Sequence, residues 1–298
     1  MRPRILDCTL RDGGYHTGWR FDAGLVTTYL HTLAAVGVDI VEPGFRALRE
    51  LPGAGPFAHA SDALLDTLDI PPALDVAVMV DADDALAAAD DPGAAIVRAF
   101  APRAASRVAL VRIAVRLADL GRSRAIAEAL ARLGYGVGLN LMQVAGIAPA
   151  RLAQAARDVA GWGCVQILCL ADSFGALDPA ATARACAAVR TQWRGELGFH
   201  AHDNRSLAVA NTLAAIAHGA CVADCTVAGM GRGAGNAALE LLLCELDTGG
   251  AHDERLRELQ RLCERYFVPL RRRHGWGPGF YYHYCALRGI HPNRRSTC

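Results

Sequence analysis

The chain repeats one rhythm: a short apolar run, a loop, then an amphipathic segment of Ala, Leu and Arg. The apolar runs fall at 4–10 (RILDCTL), 38–44 (VDIVEPG), 74–81 (LDVAVMVD), 107–115 (RVALVRIAV), 135–143 (YGVGLNLMQ), 164–173 (CVQILCLADS), 196–203 (ELGFHAHD) and 221–229 (CVADCTVAG). Their near-continuous apolar character predicts strands buried on both faces. The amphipathic segments predict helices over 22–36, 61–69, 83–90, 119–133, 149–160, 178–194, 205–218 and 236–247. Cap-like residues open several of them (Asp22, Ser61, Asp178), and glycines close several (Gly37, Gly134, Gly161, Gly219). Strand and helix alternating eight times over about 250 residues is the arithmetic of an α/β protein of the (β/α)8 TIM-barrel class. An open doubly wound sheet is the competing architecture. It is disfavoured because no GxGxxG follows the first strand.

Two regions break the rhythm. Residues 44–60, GFRALRELPGAGPFAHA, form a Gly/Pro-rich loop after the second strand, on the side where barrel active sites lie. Such a loop reads equally as a lid and as ordinary surface. Past residue 250 comes a charged helix (253–273), then GWGPGFYYHYCALRGIHPNRRSTC. That tail is too apolar for a free linker. The expected organisation is a catalytic barrel over 1–250 and a C-terminal helix and aromatic tail over 251–298. The tail is expected to pack on the barrel or on a neighbouring subunit of a homodimer.

Composition adds one strong exclusion. All 31 basic residues are Arg; the chain contains no lysine. It therefore cannot form a Schiff base with a carbonyl substrate, hold pyridoxal phosphate covalently, or supply a P-loop lysine. If it makes or breaks carbon–carbon bonds, a metal or another oxyanion device must hold the carbanion. The formal net charge of +1 predicts no nucleic-acid partner. No apolar run approaches the ~18 residues of a membrane span. Charges at Asp7 and Arg11 precede any apolar stretch, so no signal peptide is expected. Ten cysteines lie scattered without a CxxC pair, which predicts a reduced, cytoplasmic protein and no zinc–cysteine site.

Candidate chemistry gathers at the strand ends. His200 and His202 are two apart in a strand, so both rings point to one side of the barrel mouth. Taken alone, such a pair reads equally as one packed and one solvated histidine. Asp12 shifts the balance. It follows the first strand, which in a closed eight-strand barrel is separated from the seventh only by the eighth. Two imidazoles and a carboxylate with open positions suit an octahedral divalent ion that binds a chelating substrate. Arg11 beside them could pair with a developing oxyanion or simply with Asp12. Glu42 is a second carboxylate at the mouth, or a salt-bridge partner. The loop 229–236, GMGRGAGN, offers backbone amides that could cradle an anion.

Taken together, TLRDGG, VEPGF, ADS, FHAHDN and AGMGRGAGN, each after its strand, resemble the DRE-TIM metallolyase family over about residues 4–247. The resemblance implies that Asp12, His200 and His202 bind the divalent metal, with Mn2+ expected and Co2+, Mg2+ or Zn2+ as alternatives. It implies that Arg11 stabilises an enolate and that Asn236 is a further metal or supporting group. Glu42, Asn140, Ser173, Gly231 and Gly233 would support the metal or the substrate. Within the family, hydroxymethylglutaryl-CoA lyases carry a cysteine in the loop after the eighth strand, which is absent here. Transcarboxylases use a carboxylated lysine, which this chain cannot supply. GMGRGAGNAALE, GFHAHDN and LAVANTLAAI look most like the pyruvate aldolases of the 4-hydroxy-2-oxovalerate type, and they imply a 2-oxo acid and an aldehyde as substrates. Acyl-CoA-dependent condensing synthases of the isopropylmalate and citramalate type share a similar loop and are the alternative. The family places a catalytic histidine three residues after the metal aspartate. Here that position is Tyr15, and His16 follows it. On pKa grounds the expected base is His16, with Tyr15 donating a hydrogen bond from a glycine-rich turn at Gly13-Gly14.

Overall fold

The structure is a computed structural model that describes residues 2–88, 91–247 and 253–290. Eight parallel strands close into a barrel in chain order: β1 (Arg4–Asp7), β2 (Ile40–Val41), β3 (Asp75–Asp81), β4 (Val108–Arg116), β5 (Gly136–Met142), β6 (Ile167–Asp172), β7 (Glu196–Ala201) and β8 (Val222–Cys225). Closure places β1 beside β8, with Arg4 opposite Val222 and Asp7 opposite Cys225. The fold is the (β/α)8 barrel that the alternation predicts. Around it run α1 (Thr9–Thr17), α2 (Ala23–Ala35), α3 (Asp62–Thr67), α4 (Ala82–Ala88), α5 (Pro92–Ala99), α6 (Arg124–Arg132), α7 (Pro149–Ala160), α8 (Pro179–Arg190), α9 (Ala208–Ala217) and α10 (Leu239–Leu246). The three expected caps form. Asp22 accepts from the Leu25 amide at 3.0 Å, Ser61 from Leu64 at 3.2 Å and Asp178 from Ala181 at 2.8 Å.

Local chemistry explains where the elements depart from the expected ranges. β1 stops at Asp7, not at residue 10, because the Asp7 carboxylate accepts the Thr9 amide at 2.8 Å and α1 starts there. TLRDGG is thus helical, and Gly13-Gly14 is not a turn. β2 is cut to two residues at Pro43, which has no amide to donate, and the chain pairs with β3 again at a single bridge, Phe45 opposite Met79. α5 is an additional helix, opened by Asp91 accepting from Gly93 at 2.9 Å and by Pro92 in the first turn. β8 ends at Cys225, and a short 3-10 turn occupies Val227–Gly229.

Side chains alternate inward and outward along each strand. The outward set, such as Val78, Val111, Leu139 and Leu197, packs under the helices as the main core. The inward set is layered. Leu6, Ile40, Ala77, Leu110, Ile167 and Val222 form an apolar plug. Two residues further along the same strands stand Cys8, Glu42, Met79, Arg112, Cys169 and Asp224, all buried. A layer holding the charges of Glu42, Arg112 and Asp224 therefore lies directly above an apolar one, at the carboxyl end of the barrel.

After the barrel come α11 (Asp253–Leu262), a π-helical turn at Cys263–Phe267, α12 (Val268–His274) and α13 (Phe280–Arg288). α11 packs on α2 and α10. Phe267 is fully buried with its ring 6.4 Å from that of Tyr29. Trp276 is buried and donates from Nε1 to the Ala228 carbonyl at 3.0 Å. The expected boundary at residue 250 and the His291-Pro292 end of the tail lie outside the described residues. Among the described residues, no helix is long and apolar enough to cross a membrane.

Candidate metal centre

β7 delivers His200, the residue just past its end is His202, and the first turn of α1 delivers Asp12. One ligand atom from each of the three lies within 4.8 Å of the others. They meet because α1 starts directly after β1, and only β8 separates β1 from β7. His200 Nδ1 stands 3.1 Å from Asp224 Oδ2, which fixes the ring and leaves Nε2 for a metal. A continuous chain of buried ions continues from there. Asp224 is held by Arg112, and Arg112 Nη1 lies 3.5 Å from Glu42 Oε2. Glu42 Oε1 accepts from Arg11 Nε at 2.8 Å, and Arg11 Nη1 donates to Asp12 Oδ1 at 2.9 Å. Asn236 Nδ2 donates to the other oxygen of Asp12. Asn140 Oδ1 accepts from Arg112 Nε at 3.1 Å.

The electrostatics suit a cation. Burial alone would raise the Asp12 carboxyl. Arg11, with His202, His200 and Asn236, outweighs burial and holds it well below the usual carboxylate range. Burial pushes His202 down to about 3, so its imidazole is neutral and has a lone pair to give. Asn236 Oδ1 is buried and, among the described residues, has no hydrogen-bond partner, although its amide nitrogen is bound to Asp12. An oxygen in that position is a further donor for a hard divalent ion. These residues fit a divalent metal. A second trio, Cys8, His200 and Asp224, is also close enough to share an ion. Its carboxylate is already neutralised by Arg112. Burial pushes the Cys8 thiol well up, which keeps it protonated.

The other expected residues fall as follows. Glu42 bridges two buried arginines, Arg11 and Arg112. Asn140 and Ser173 line a cavity of about 80 Å3 above the trio, and Ser173 Oγ also accepts the Gln143 amide at 3.0 Å. Gly231 is where the loop after β8 meets Asp12 and Asn236 of the candidate centre. A Cβ there would stand 2.2 Å from Asn236 Nδ2 and 2.6 Å from Asp12 Oδ2. Gly233 faces the ring of Tyr282 on α13, 3.2 Å from where its Cβ would be. The loop uses amides on itself, Asn236 N to Gly229 O at 3.1 Å and Gly235 N to Arg232 O at 3.2 Å, and so presents Asn236. Tyr15 lines the cavity, and burial, then the charge of Asp12, raises its pKa, so it is a phenol at neutral pH. His16, expected as the base, does not line this cavity. Its Nε2 is 2.7 Å from the Gly231 carbonyl, and its ring lies 5.6 Å from that of Trp276. The His16 side chain is thus turned to the loop after β8 and to Trp276, while Tyr15 on the same helix faces the cavity.

Several residues of the site escape sequence reasoning: Arg112, Asp224, Phe45, Arg232 and Asp81 all bound the cavity or its ion chain. Two left a readable signal. A lone charge inside an apolar strand, as in VALVRIAV and CVADCTV, must be buried and paired. Asp81 ends β3, and burial raises its carboxyl although it accepts the Asp83 amide at 3.0 Å.

The chain is similar to known proteins. The HMGL-like family profile matches residues 2–264. The 4-hydroxy-2-oxovalerate aldolase of Chloroflexus aurantiacus is 32% identical over 253 residues, which is 83% of this chain and 70% of that protein. The N-terminal domain of a Bacteroides vulgatus protein assigned as an aldolase superposes with a TM-score of 0.82 at 28% identity, covering 97% of this chain and 94% of that one. The Bacillus subtilis HMG-CoA lyase shares the fold, with a TM-score of 0.70 at 15% identity over 95% of this chain and 97% of its own. With its barrel, its strand-end motifs and these relatives, the chain belongs to the HMGL-like, DRE-TIM metallolyase family.

Proposed function

We propose that this chain is a divalent-metal-dependent aldolase that forms or cleaves the carbon–carbon bond between the enolate of pyruvate and an aldehyde. The observation that carries the reading is the convergence of Asp12, His200, His202 and Arg11 on one small cavity. A divalent ion held by Asp12, His200 and His202, with Asn236 Oδ1 beside them, would supply Lewis acidity towards the oxygens of a chelating 2-oxo acid. The mixed oxygen and nitrogen donors favour Mn2+, with Co2+, Mg2+ and Zn2+ as substitutes.

The chain's own residues supply the rest. Arg11 is clamped by Glu42 and Asp12, so its guanidinium is oriented before substrate arrives and can pair with the enolate oxygen. In cleavage, a carboxylate takes the proton of the 4-hydroxyl, the C3–C4 electron pair passes to C3, and the aldehyde leaves. The enolate then takes a proton at C3 to give pyruvate. Tyr15 donates a hydrogen bond to the oxygen that becomes the aldehyde. We assign proton acceptance to Asp81, which lines the cavity, and assign His16 to holding the Gly231 loop. Synthesis runs the same steps in reverse. No step needs a lysine.

The test is a panel of aldehydes with pyruvate and added Mn2+. Aldehyde-dependent consumption of pyruvate without coenzyme A supports the reading. Release of free thiol from an acyl-CoA and a 2-oxo acid would replace it with a condensing synthase. Full activity in metal-free protein would end both.

A further inference from the structure

A cleft of about 410 Å3 opens beside the metal cavity. Tyr15, Phe45 and Asp81 line both spaces, so the two adjoin across these three side chains. The rest of the cleft lies between the end of α1 and the 44–60 loop. Trp19, Leu51 and Pro52 give it apolar walls, while Ala47 and Ala54 leave room between them. Its ionic groups beyond Asp81 are Arg49 and Asp84, which pair with each other at 2.8 Å.

The walls are held in place. The Tyr15 and Trp19 rings sit 4.9 Å apart edge to face, and each lies about 6 Å from Phe45, at 6.2 and 6.1 Å. Trp19 Nε1 donates to the Arg11 carbonyl at 3.0 Å, which ties the aromatic wall to the oxyanion group. A Cβ at Gly14 would stand 2.1 Å from the Trp19 ring, and one at Gly55 2.2 Å from the Trp19 carbonyl. Gly55 N donates to Gly18 O at 2.6 Å, and Arg20 donates to Gly53 O at 2.9 Å. The 44–60 loop is therefore seated against the end of α1.

We infer that this cleft is the aldehyde subsite and that it selects aldehydes carrying an aryl or branched alkyl group over acetaldehyde. The inference rests on the aldolase reading. The reacting carbonyl carbon must lie over the enolate, in a cavity with space for little else. The remainder of the aldehyde then leaves past Tyr15, Phe45 and Asp81, into a cleft about five times larger, from 80 to 410 Å3. Aromatic rings set edge to face receive a flat apolar group well. The Arg49–Asp84 pair cancels its own charge, so these walls hold no unpaired cation for a phosphate or carboxylate tail.

The test uses metal-loaded protein with pyruvate and either acetaldehyde or phenylacetaldehyde. Ala54→Trp and Ala47→Phe fill the cleft, and Leu51→Ala widens it. Wild-type kcat/KM is expected to favour phenylacetaldehyde by about tenfold or more, the scale that a few extra buried carbons give. The filling variants are expected to bring that ratio to near one, and Leu51→Ala to raise KM for phenylacetaldehyde more than for acetaldehyde. Metal-dependent exchange of pyruvate C3 protons with solvent, followed by NMR, reports on the metal cavity without any aldehyde. If exchange occurs but acetaldehyde is preferred, or the filled variants keep the wild-type ratio, the cleft assignment is overturned and the aldolase reading stands. If neither exchange nor aldehyde consumption occurs, the aldolase reading fails and the cleft assignment falls with it.

Discussion

Arg112 is buried in the middle of β4, and its charge is met by Asp224 and Glu42 rather than by water. Gly138, on the neighbouring strand, makes room: a Cβ there would lie 3.0 Å from Arg112 Cγ. Removing one member of a buried ion network leaves the others uncompensated. Arg112→Leu is expected to cost about 3–5 kcal/mol, read by urea denaturation. Asp224 also aims His200, so Asp224→Ala is expected to weaken Mn2+ binding by about 10–100-fold in calorimetry on protein shown to be folded. Asp7 gives a pH dependence away from the candidate metal centre. Burial raises its carboxyl from 3.8 to about 6, against hydrogen bonds from Tyr29 and Thr9. As pH rises, the unfolded chain therefore gives up this proton before the folded one does. Asp7 is expected to lower stability progressively between about pH 4 and pH 6, by roughly 3 kcal/mol in all. Asp7→Asn removes that step, so the stability of wild type minus variant should fall as pH rises through this range. A constant difference from pH 4 to pH 7 would show that Asp7 is ionised throughout.

α1 carries Arg11, Asp12 and Tyr15 within two turns, although two adjacent glycines are poor helix formers. Tertiary contact explains them. A Cβ at Gly13 would stand 2.7 Å from Met230 Sδ, and one at Gly14 would enter the Trp19 indole. Alanine in a helix interior normally gains about 1 kcal/mol over glycine. Gly14→Ala is nonetheless expected to destabilise the protein in thermal denaturation, because the indole must leave its seat. Its displacement also loosens Arg11, so kcat for the proposed aldol cleavage should fall with it. A raised Tm with unchanged turnover would show that the indole can move freely.

Over the whole molecule, the barrel stacks an ionised layer on an apolar plug, and the ligands of the proposed ion come from both sides of its β7–β8–β1 seam. An ion bound there joins elements far apart in sequence and binds only the folded chain. Chelation is therefore expected to lower Tm by several degrees as well as to abolish activity. At a metal concentration of about 100 Kd the linkage is worth about 2.7 kcal/mol. Re-addition of Mn2+ should restore both, and an unchanged Tm on complete metal removal would place no ion at this seam.

Periodicity and end signals determined the barrel. Eight apolar runs and the amphipathic segments between them suffice, because strands buried on both faces and helices buried on one leave different patterns. The strand-end motifs also marked Asp12, His200 and His202, since strand ends gather at one rim whatever the packing detail. What the pattern could not carry was direction. Whether TLRDGG is strand, turn or helix depends on Met230 and Trp19 filling the space above its glycines, contacts with residues distant or unmarked in sequence. Whether Tyr15 or His16 faces the cavity depends on the angular position of each on α1, which follows only once that helix exists. Arg112 and Asp224 could be recognised as buried charges, but the partners of Arg112, Glu42 and Asp224, lie about 70 and 112 positions away along the chain. Only barrel closure brings β4, β2 and β8 around one axis, and with that the charges find each other.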